Sequence, residues 1–361
     1  MTRAAIMTIP GEPMHIGEVV LRQLGEHDVR VQVASVGVCH SDLSLSNGNL
    51  AQPVPAVLGH EGAGTITAVG AEASAVKVGD AVALNWSPAC RHCWFCTHAQ
   101  PWLCENAGGS AQRPYATLPD GTPVYAGLGT AAFAEETVVD ESAVVKLPAG
   151  ISMDRAALLG CAGLTGFGAV RYSAGVAAGE TVAVFGLGGV GLSVVRASSL
   201  AGATTIIAID QVAEKEELAR RHGATDFFTS GPELSRQIRS LTEGRGADHA
   251  FDCVGRPETI RASWSASRRG GDVTVIGIGR RDALVEFNAL ELNWFARTIR
   301  GCVFGSTDPD RDLPQLATEV AAGEFDPLSM VTGEAGLGGI DDAFAEMRSG
   351  HGGRVLIHPA L

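Results

Sequence analysis

The sequence predicts an α/β chain of two domains, one β-rich and one built on a doubly wound parallel sheet. Three observations carry this. The 361 residues exceed what one hydrophobic core ordinarily holds. Residues 1 to about 150 read as short runs of β-branched residues in near alternation, with no helical pattern between them. From Thr181 onward, apolar strand-like runs alternate with amphipathic stretches.

The first part contains "VRVQVASVGV" and "GTITAVG", bounded by Gly, Pro and Asp turns. The character changes at "LPAGISMDRAALLG", where Pro148 and Gly150 break the chain and a helical pattern begins. The strands that follow are "TVAVFGL", "TTIIAID", "ADHAFDCVG" and "GDVTVIGIG". Between them lie the helical stretches "VGLSVVRASSLAG", "VAEKEELARRHG" and "PETIRASWSASRRGG". After about residue 305 the alternation loosens, and a last helix, "IDDAFAEMRSG", precedes a last strand, "GRVLIHP". The expected division is 1–155 with 306–361 as the β-rich domain, containing a cysteine lobe at 88–106, and 156–305 as the parallel-sheet domain.

Composition excludes some classes of function. Hydrophobic residues make up 45% and charged residues 19%, as in ordinary globular chains. The net charge of −13 repels nucleic acid and anionic membranes, and the pairs Arg220-Arg221, Arg268-Arg269 and Arg280-Arg281 are too short and scattered to offset it. Neither a secretory leader nor an apolar run long enough to span a bilayer is evident, so the expected location is cytoplasmic. Thiols stay reduced there, which makes clustered cysteines metal or redox centres before disulfides.

Gly186, Gly188 and Gly191 follow an apolar strand and open a helix in G-x-G-x-x-G spacing, with Gly189 and Val190 inside the motif. In that setting the glycines allow a tight turn, close approach of a pyrophosphate and tight helix–strand packing, with helix N-terminal amides toward the phosphates. The second strand ends at Asp210, nineteen residues past Gly191. A carboxylate there accepts hydrogen bonds from ribose hydroxyls and repels a 2′-phosphate, which favours NAD over NADP.

Two cysteine sets suggest metals. Cys90, Cys93, Cys96 and Cys104 lie within one short stretch, "PACRHCWFCTHAQPWLC". Four thiolates close a tetrahedron around zinc, although spacing alone also admits an iron–sulfur cluster or a redox Cys-x-x-Cys pair. The second set is scattered: Cys39 in "GVCHSD", His60 and Glu61 in "LGHEG", and Cys161 in "LLGCAGLTG". Cys39, His60 and Cys161 would leave an open position on a metal, as catalytic zinc requires.

With these residues in place, the chain resembles the zinc-dependent medium-chain alcohol dehydrogenases nearly end to end. "VCHSD", "GHEGAGTITAVG", the cysteine lobe, "LLGCAGLTGFGAV", "VFGLGGVGL" and "GGRVLI" occur in that family's order. The lobe and the connection from Cys104 to Cys161 are most similar to the liver-type and glutathione-dependent formaldehyde dehydrogenase branch. The resemblance implies a GroES-like catalytic domain and a Rossmann cofactor domain. It also implies two zinc ions per chain and reversible hydride transfer between an alcohol and NAD.

Residue by residue, the resemblance implies catalytic zinc on Cys39, His60 and Cys161, with Glu61 as an alternate ligand and Asp42 orienting His60. The structural zinc falls to Cys90, Cys93, Cys96 and Cys104. Ser41 takes the alcohol proton, Thr165 and Val190 meet the nicotinamide, and His40 and Arg354 meet the pyrophosphate. Lys215 lies near the adenosine ribose, and Trp86 forms a wall of the substrate pocket. Two positions depart from the family. Ser44 stands where a histidine ends the proton relay, which leaves a water chain for the last step. Gly108 stands where the glutathione-dependent branch has an arginine, which points to an apolar primary alcohol, aromatic, allylic or terpenoid.

A thiol-adduct formaldehyde dehydrogenase and a non-enzymatic NAD-binding protein on the same fold are the alternatives. A cofactor that stays bound and is recycled by an external acceptor is a further option. The resemblance also implies a homodimer, with "TIRGCVFG" as the candidate edge strand and Cys253 and Cys302 in the core of the cofactor domain.

Overall fold

Val31, Val33 and Ser35 are buried along the strand Asp28–Gly37, whereas Gln32 and Ala34 between them are exposed, a period of two. The computed structural model describes residues 1–361 and falls into two units, Met1–Leu164 with Asp308–Leu361, and Thr165–Thr307.

In the first unit, Asp28–Gly37 is the central strand of a seven-stranded sheet. It pairs antiparallel with Glu61–Val69, Glu136–Asp140 and Arg354–Ile357. The register places Gly37 opposite both Glu61 and Leu356, so residues far apart in sequence meet across one glycine. Five shorter strands, Thr2–Met7, His15–Leu21, Pro114–Thr117, Pro123–Ala126 and Ala56–Val57, close a barrel. Ile6, Val31, Val57, Leu84, Phe133 and Phe344 belong to its continuous core.

In the second unit, six strands form a parallel sheet in the spatial order Asp226–Thr229, Thr205–Asp210, Thr181–Phe185, Ala247–Asp252, Ser267–Val275, Thr298–Gly301. Val182 to Phe185 and Ile206 to Ile209 are buried without alternation, as expected of strands covered on both faces. The helices Gly189–Leu200, Glu216–His222, Leu234–Leu241 and Pro257–Ala266 occupy the connections. The stretch "SRRGG", read as helical, instead opens the strand Ser267–Val275, because Gly270 turns to φ +65° and the register shifts there.

Residues 156–164 group with the first unit. There the helix Met153–Ala157 runs into a wider π-turn, Leu159–Gly163, which carries Cys161. No helix is long and apolar enough to cross a membrane.

Candidate metal and dinucleotide sites

Three elements of the first unit bring the scattered set together. Cys39 precedes the helix His40–Ser46, His60 and Glu61 lie at the start of the strand Glu61–Val69, and Cys161 sits in the π-turn. Their ligand atoms lie within 4.8 Å of one another, and all four residues are buried. Asp42 is buried too, and its Oδ1 accepts hydrogen bonds from the Gly59 N–H and from His60 Nδ1, each at 3.0 Å. That bond spends Nδ1 and leaves His60 Nε2 buried with no hydrogen-bond partner. An orphaned imidazole nitrogen among two thiols and a carboxyl fits a metal, and the carboxylate behind it is the usual means of orienting such a histidine.

The electrostatics agree. The hydrogen bond with Cys161 pulls the Cys39 thiol well below its ordinary value, against burial and with help from His60. Burial lowers the His60 pKa, but the Asp42 carboxylate and Cys39 outweigh it and raise the imidazole to about 10. A divalent cation taking these donors would compete with protons for them.

The four lobe cysteines also lie within 4.8 Å of one another. Backbone amides point at their sulfurs: the Cys90 N–H at Cys104 Sγ, 3.2 Å away, and the Cys93 N–H at Cys90 Sγ, 3.3 Å away. The Asn106 side chain and the His92 N–H bring Cys90 down to about 5, while burial and Cys93 push Cys96 up to about 12. Thiols this close cannot all ionise without a cation among them, so the donor set fits a metal closed by four sulfurs.

The glycine-rich turn sits at the C-terminal end of the strand Thr181–Phe185 in the second unit. Gly186 has φ +89°, which favours glycine, and a Cβ on Gly191 would collide with the Gly186 carbonyl. Gly188 differs: it precedes the helix Gly189–Leu200, and a Cβ there would meet no protein atom within 4 Å. Packing does not require glycine at 188, so the open space fits the approach of a ligand phosphate to the backbone. Asp210 is buried and accepts hydrogen bonds from the Leu187 N–H at 2.7 Å and the Val212 N–H at 3.1 Å, with Lys215 Nζ at 3.4 Å. Its side chain reaches back to the glycine turn and does not cap the following helix, whose first turn begins beyond Val212.

Residues 25–149 match the alcohol dehydrogenase GroES-like domain, and residues 189–322 match the zinc-binding dehydrogenase family. A relative named NDMA-dependent alcohol dehydrogenase, from Amycolatopsis methanolica, is 32% identical, with 99% of each chain covered. The chain belongs to the zinc-binding alcohol dehydrogenases. An S-(hydroxymethyl)glutathione dehydrogenase of Escherichia coli is 34% identical over 99% of both chains. Among solved structures, an alcohol dehydrogenase zinc-binding domain protein from Burkholderia ambifaria superposes with a TM-score of 0.93 at 32% identity, covering 99% of this chain and 98% of the other. The benzyl alcohol dehydrogenase of Acinetobacter calcoaceticus gives 0.91 at 28% identity, with 99% of each chain covered.

In this alcohol dehydrogenase the Trp86 ring stands edge-on to the His60 ring, with centroids 6.2 Å apart. His40 is exposed and Ser41 half-exposed at the start of their helix. Thr165 is buried at the start of the second unit, and Val190 is half-buried in the first turn after Gly188. Cys302 is buried and receives the Ser173 hydroxyl, while Cys253 is half-buried beside the glycine turn. Arg354 is buried, and its guanidinium donates to Glu61 Oε2 in an ion pair that the sequence reading did not contain. No local signal announces a pair separated by 293 residues. Asn106, whose side chain bonds Cys90, lies two residues past the last lobe cysteine, and an amide at that spacing is the local cue to such a bond.

Proposed function

We propose that this chain oxidises a primary alcohol reversibly with NAD, in the first unit at Cys39, His60 and Cys161 and in the second at the glycine turn and Asp210. One observation carries the assignment: His60 Nε2 is buried without a partner while Nδ1 is held by Asp42, beside two thiols. When bound, zinc supplies a Lewis acid that lowers the pKa of an alcohol hydroxyl, and NAD supplies the hydride acceptor. Cys39, His60 and Cys161 would hold the metal, with Glu61 beside them and paired to Arg354. Asp42 keeps His60 in the tautomer that presents Nε2. Ser41 takes the alcohol proton, and Trp86 forms an apolar wall. Gly188 leaves room for the pyrophosphate, Asp210 accepts from the adenosine ribose, and Lys215 flanks it.

Gly108 is exposed with open space around it and offers no cation for a glutathione carboxylate, which supports an apolar alcohol over a glutathione adduct. The proposed partner is a second copy of the chain. Thr298–Gly301 is an edge strand; Ile299 on it, Val303 just after it, and Leu290 and Trp294 in the preceding helix Ala289–Phe295 are exposed.

The test is an NAD-reduction screen over aliphatic, benzylic and allylic primary alcohols, with and without glutathione, on protein of measured zinc content. Turnover of apolar alcohols without glutathione is expected. Formaldehyde oxidation only with glutathione would replace this reading with the thiol-adduct one. A parallel series with NDMA, the compound in the name of the A. methanolica relative, tests a cofactor that stays bound. Silence on every alcohol, with two zinc ions bound, would refute the proposal.

A further inference from the structure

The turn that carries His60 is held from behind by a segment to which no role has been assigned. Gly59, immediately before His60, has φ +88°. Its N–H goes to Asp42. Its carbonyl accepts two hydrogen bonds from the segment 130–133, the Ala132 N–H at 2.8 Å and the Thr130 hydroxyl at 2.9 Å. The Phe133 N–H donates to the Leu58 carbonyl at 2.9 Å, and a Cβ built on Gly59 would lie 2.7 Å from that same nitrogen. Thr130 is fully buried, and its own carbonyl accepts the Thr137 hydroxyl at 2.7 Å. Thr137 is buried as well, within the strand Glu136–Asp140. Hydrogen bonds thus run from the sheet through Thr137 and Thr130 to the Gly59 carbonyl, the peptide group that leads directly into His60.

The same segment departs from ordinary backbone. Leu128 and Ala131 have φ of +49° and +52°, the left-handed region that L-residues with a Cβ seldom occupy. Such conformations persist where the surroundings over-determine them, and they cluster at functional sites. Here the departure turns the Thr130 hydroxyl and the Ala132 amide onto one carbonyl.

We propose that Thr130 is a positioning residue for the metal-binding histidine, bracing the Gly59–His60 turn so that the imidazole is aimed before a metal arrives. The proposal rests on the reading of His60 as a zinc ligand. Thr130 acts through Gly59, and a buried hydroxyl aimed at a carbonyl beside a ligand is the kind of outer support whose loss weakens metal binding.

The test compares Thr130→Val, which keeps the shape and removes the hydroxyl, with Thr130→Ser, which restores it. Zinc release to a colour-forming chelator is followed at both sites, and cobalt(II) is substituted at the His60 site for its visible spectrum. In the wild type, two zinc ions per chain with distinct release phases establish the ligand reading; a single lobe zinc would refute that reading and leave Thr130 with nothing to brace. Given two zincs, Thr130→Val is expected to release the His60-site zinc about 10-fold faster, with the lobe zinc unchanged, the cobalt bands shifted and Thr130→Ser near wild type. Equal acceleration of both zincs with unchanged cobalt bands would mean only general loosening and would overturn the proposal, as would failure of serine to restore the wild-type rate. Should the valine variant not fold, Thr130→Ala against Thr130→Ser gives the same comparison without an added methyl beside the carbonyls.

Discussion

Arg354→Leu should be among the most damaging single changes in the first unit, and the pair it breaks shows why. Glu61 is 0% exposed, Arg354 is 5% exposed, and Glu61 Oε1 has no hydrogen-bond partner of its own. The guanidinium on Oε2 is therefore the main compensation for a fully buried carboxylate. Removing one partner of such a pair costs about 3–5 kcal/mol, because the remaining charge stays buried and uncompensated. At the usual few degrees per kcal/mol for a unit of this size, the melting transition should fall by roughly 10 °C. Differential scanning calorimetry at fixed zinc concentration measures it. The double variant Glu61→Gln with Arg354→Leu leaves no buried charge and should recover more than half of the loss, a coupling of about 2 kcal/mol or more. Gly37→Ala should move the transition the same way, since a Cβ there would lie 2.9 Å from Arg354 Nη2 and 3.0 Å from Leu158 Cδ2. A single variant within about 1 kcal/mol of wild type, or a double variant no more stable than the single, would refute the reasoning.

Three further outcomes are expected. Cys93→Ser should lower the melting temperature and leave one zinc per chain; loss of activity in folded protein that retains both zincs would contradict a purely structural lobe. Gly191→Ala should abolish NADH binding, seen as loss of cofactor fluorescence enhancement, because its Cβ would run into the Gly186 carbonyl. Burial raises the Asp28 carboxyl, but the Arg22 guanidinium and the Gly25 N–H outweigh it and hold its pKa below the ordinary value. A depressed carboxylate contributes stability above its unfolded pKa and loses it as pH falls through the folded value, so this contribution disappears in acid, below about pH 4. Arg22→Met should then move the acid-unfolding midpoint, followed by circular dichroism, to higher pH; an unmoved midpoint would show that the pair does not matter.

What could be read along the chain was what is local. The glycine turn, Asp210 and the lobe cysteines are set by spacing within one or two elements, and spacing is visible in a sequence. Cys39, His60 and Cys161 could be gathered only through a resemblance, since nothing in their own neighbourhoods says that three elements converge. Glu61 with Arg354, and Gly59 with Thr130, were not legible at all. The first contact follows from sheet register, with Gly37 facing Glu61 on one side and Leu356 on the other, and the second from a turn whose Leu128 and Ala131 have positive φ. A one-residue slip would turn every side chain of a strand to the opposite face, and register is fixed by the whole sheet. The "SRRGG" segment reads as helical yet forms strand for a related reason, because the strand pairing of Ser267–Val275 outweighs helical pattern where Gly270 lets the chain turn.

Asp210 also bears on how this lineage can change. In the proposed reaction its carboxylate discriminates between dinucleotides, and its Oδ2 also accepts the Leu187 N–H at 2.7 Å, inside the glycine turn. Under the proposed cofactor role, a mutation that admitted a 2′-phosphate by removing the side chain, such as Asp210→Gly or Asp210→Ala, would also take the acceptor away from the glycine turn, whereas asparagine would erase the charge and keep an acceptor oxygen. Charge and fastening thus reside in one side chain but can be separated. A descendant preferring NADP is expected to keep a side-chain acceptor for Leu187, passing through asparagine before any residue without an acceptor.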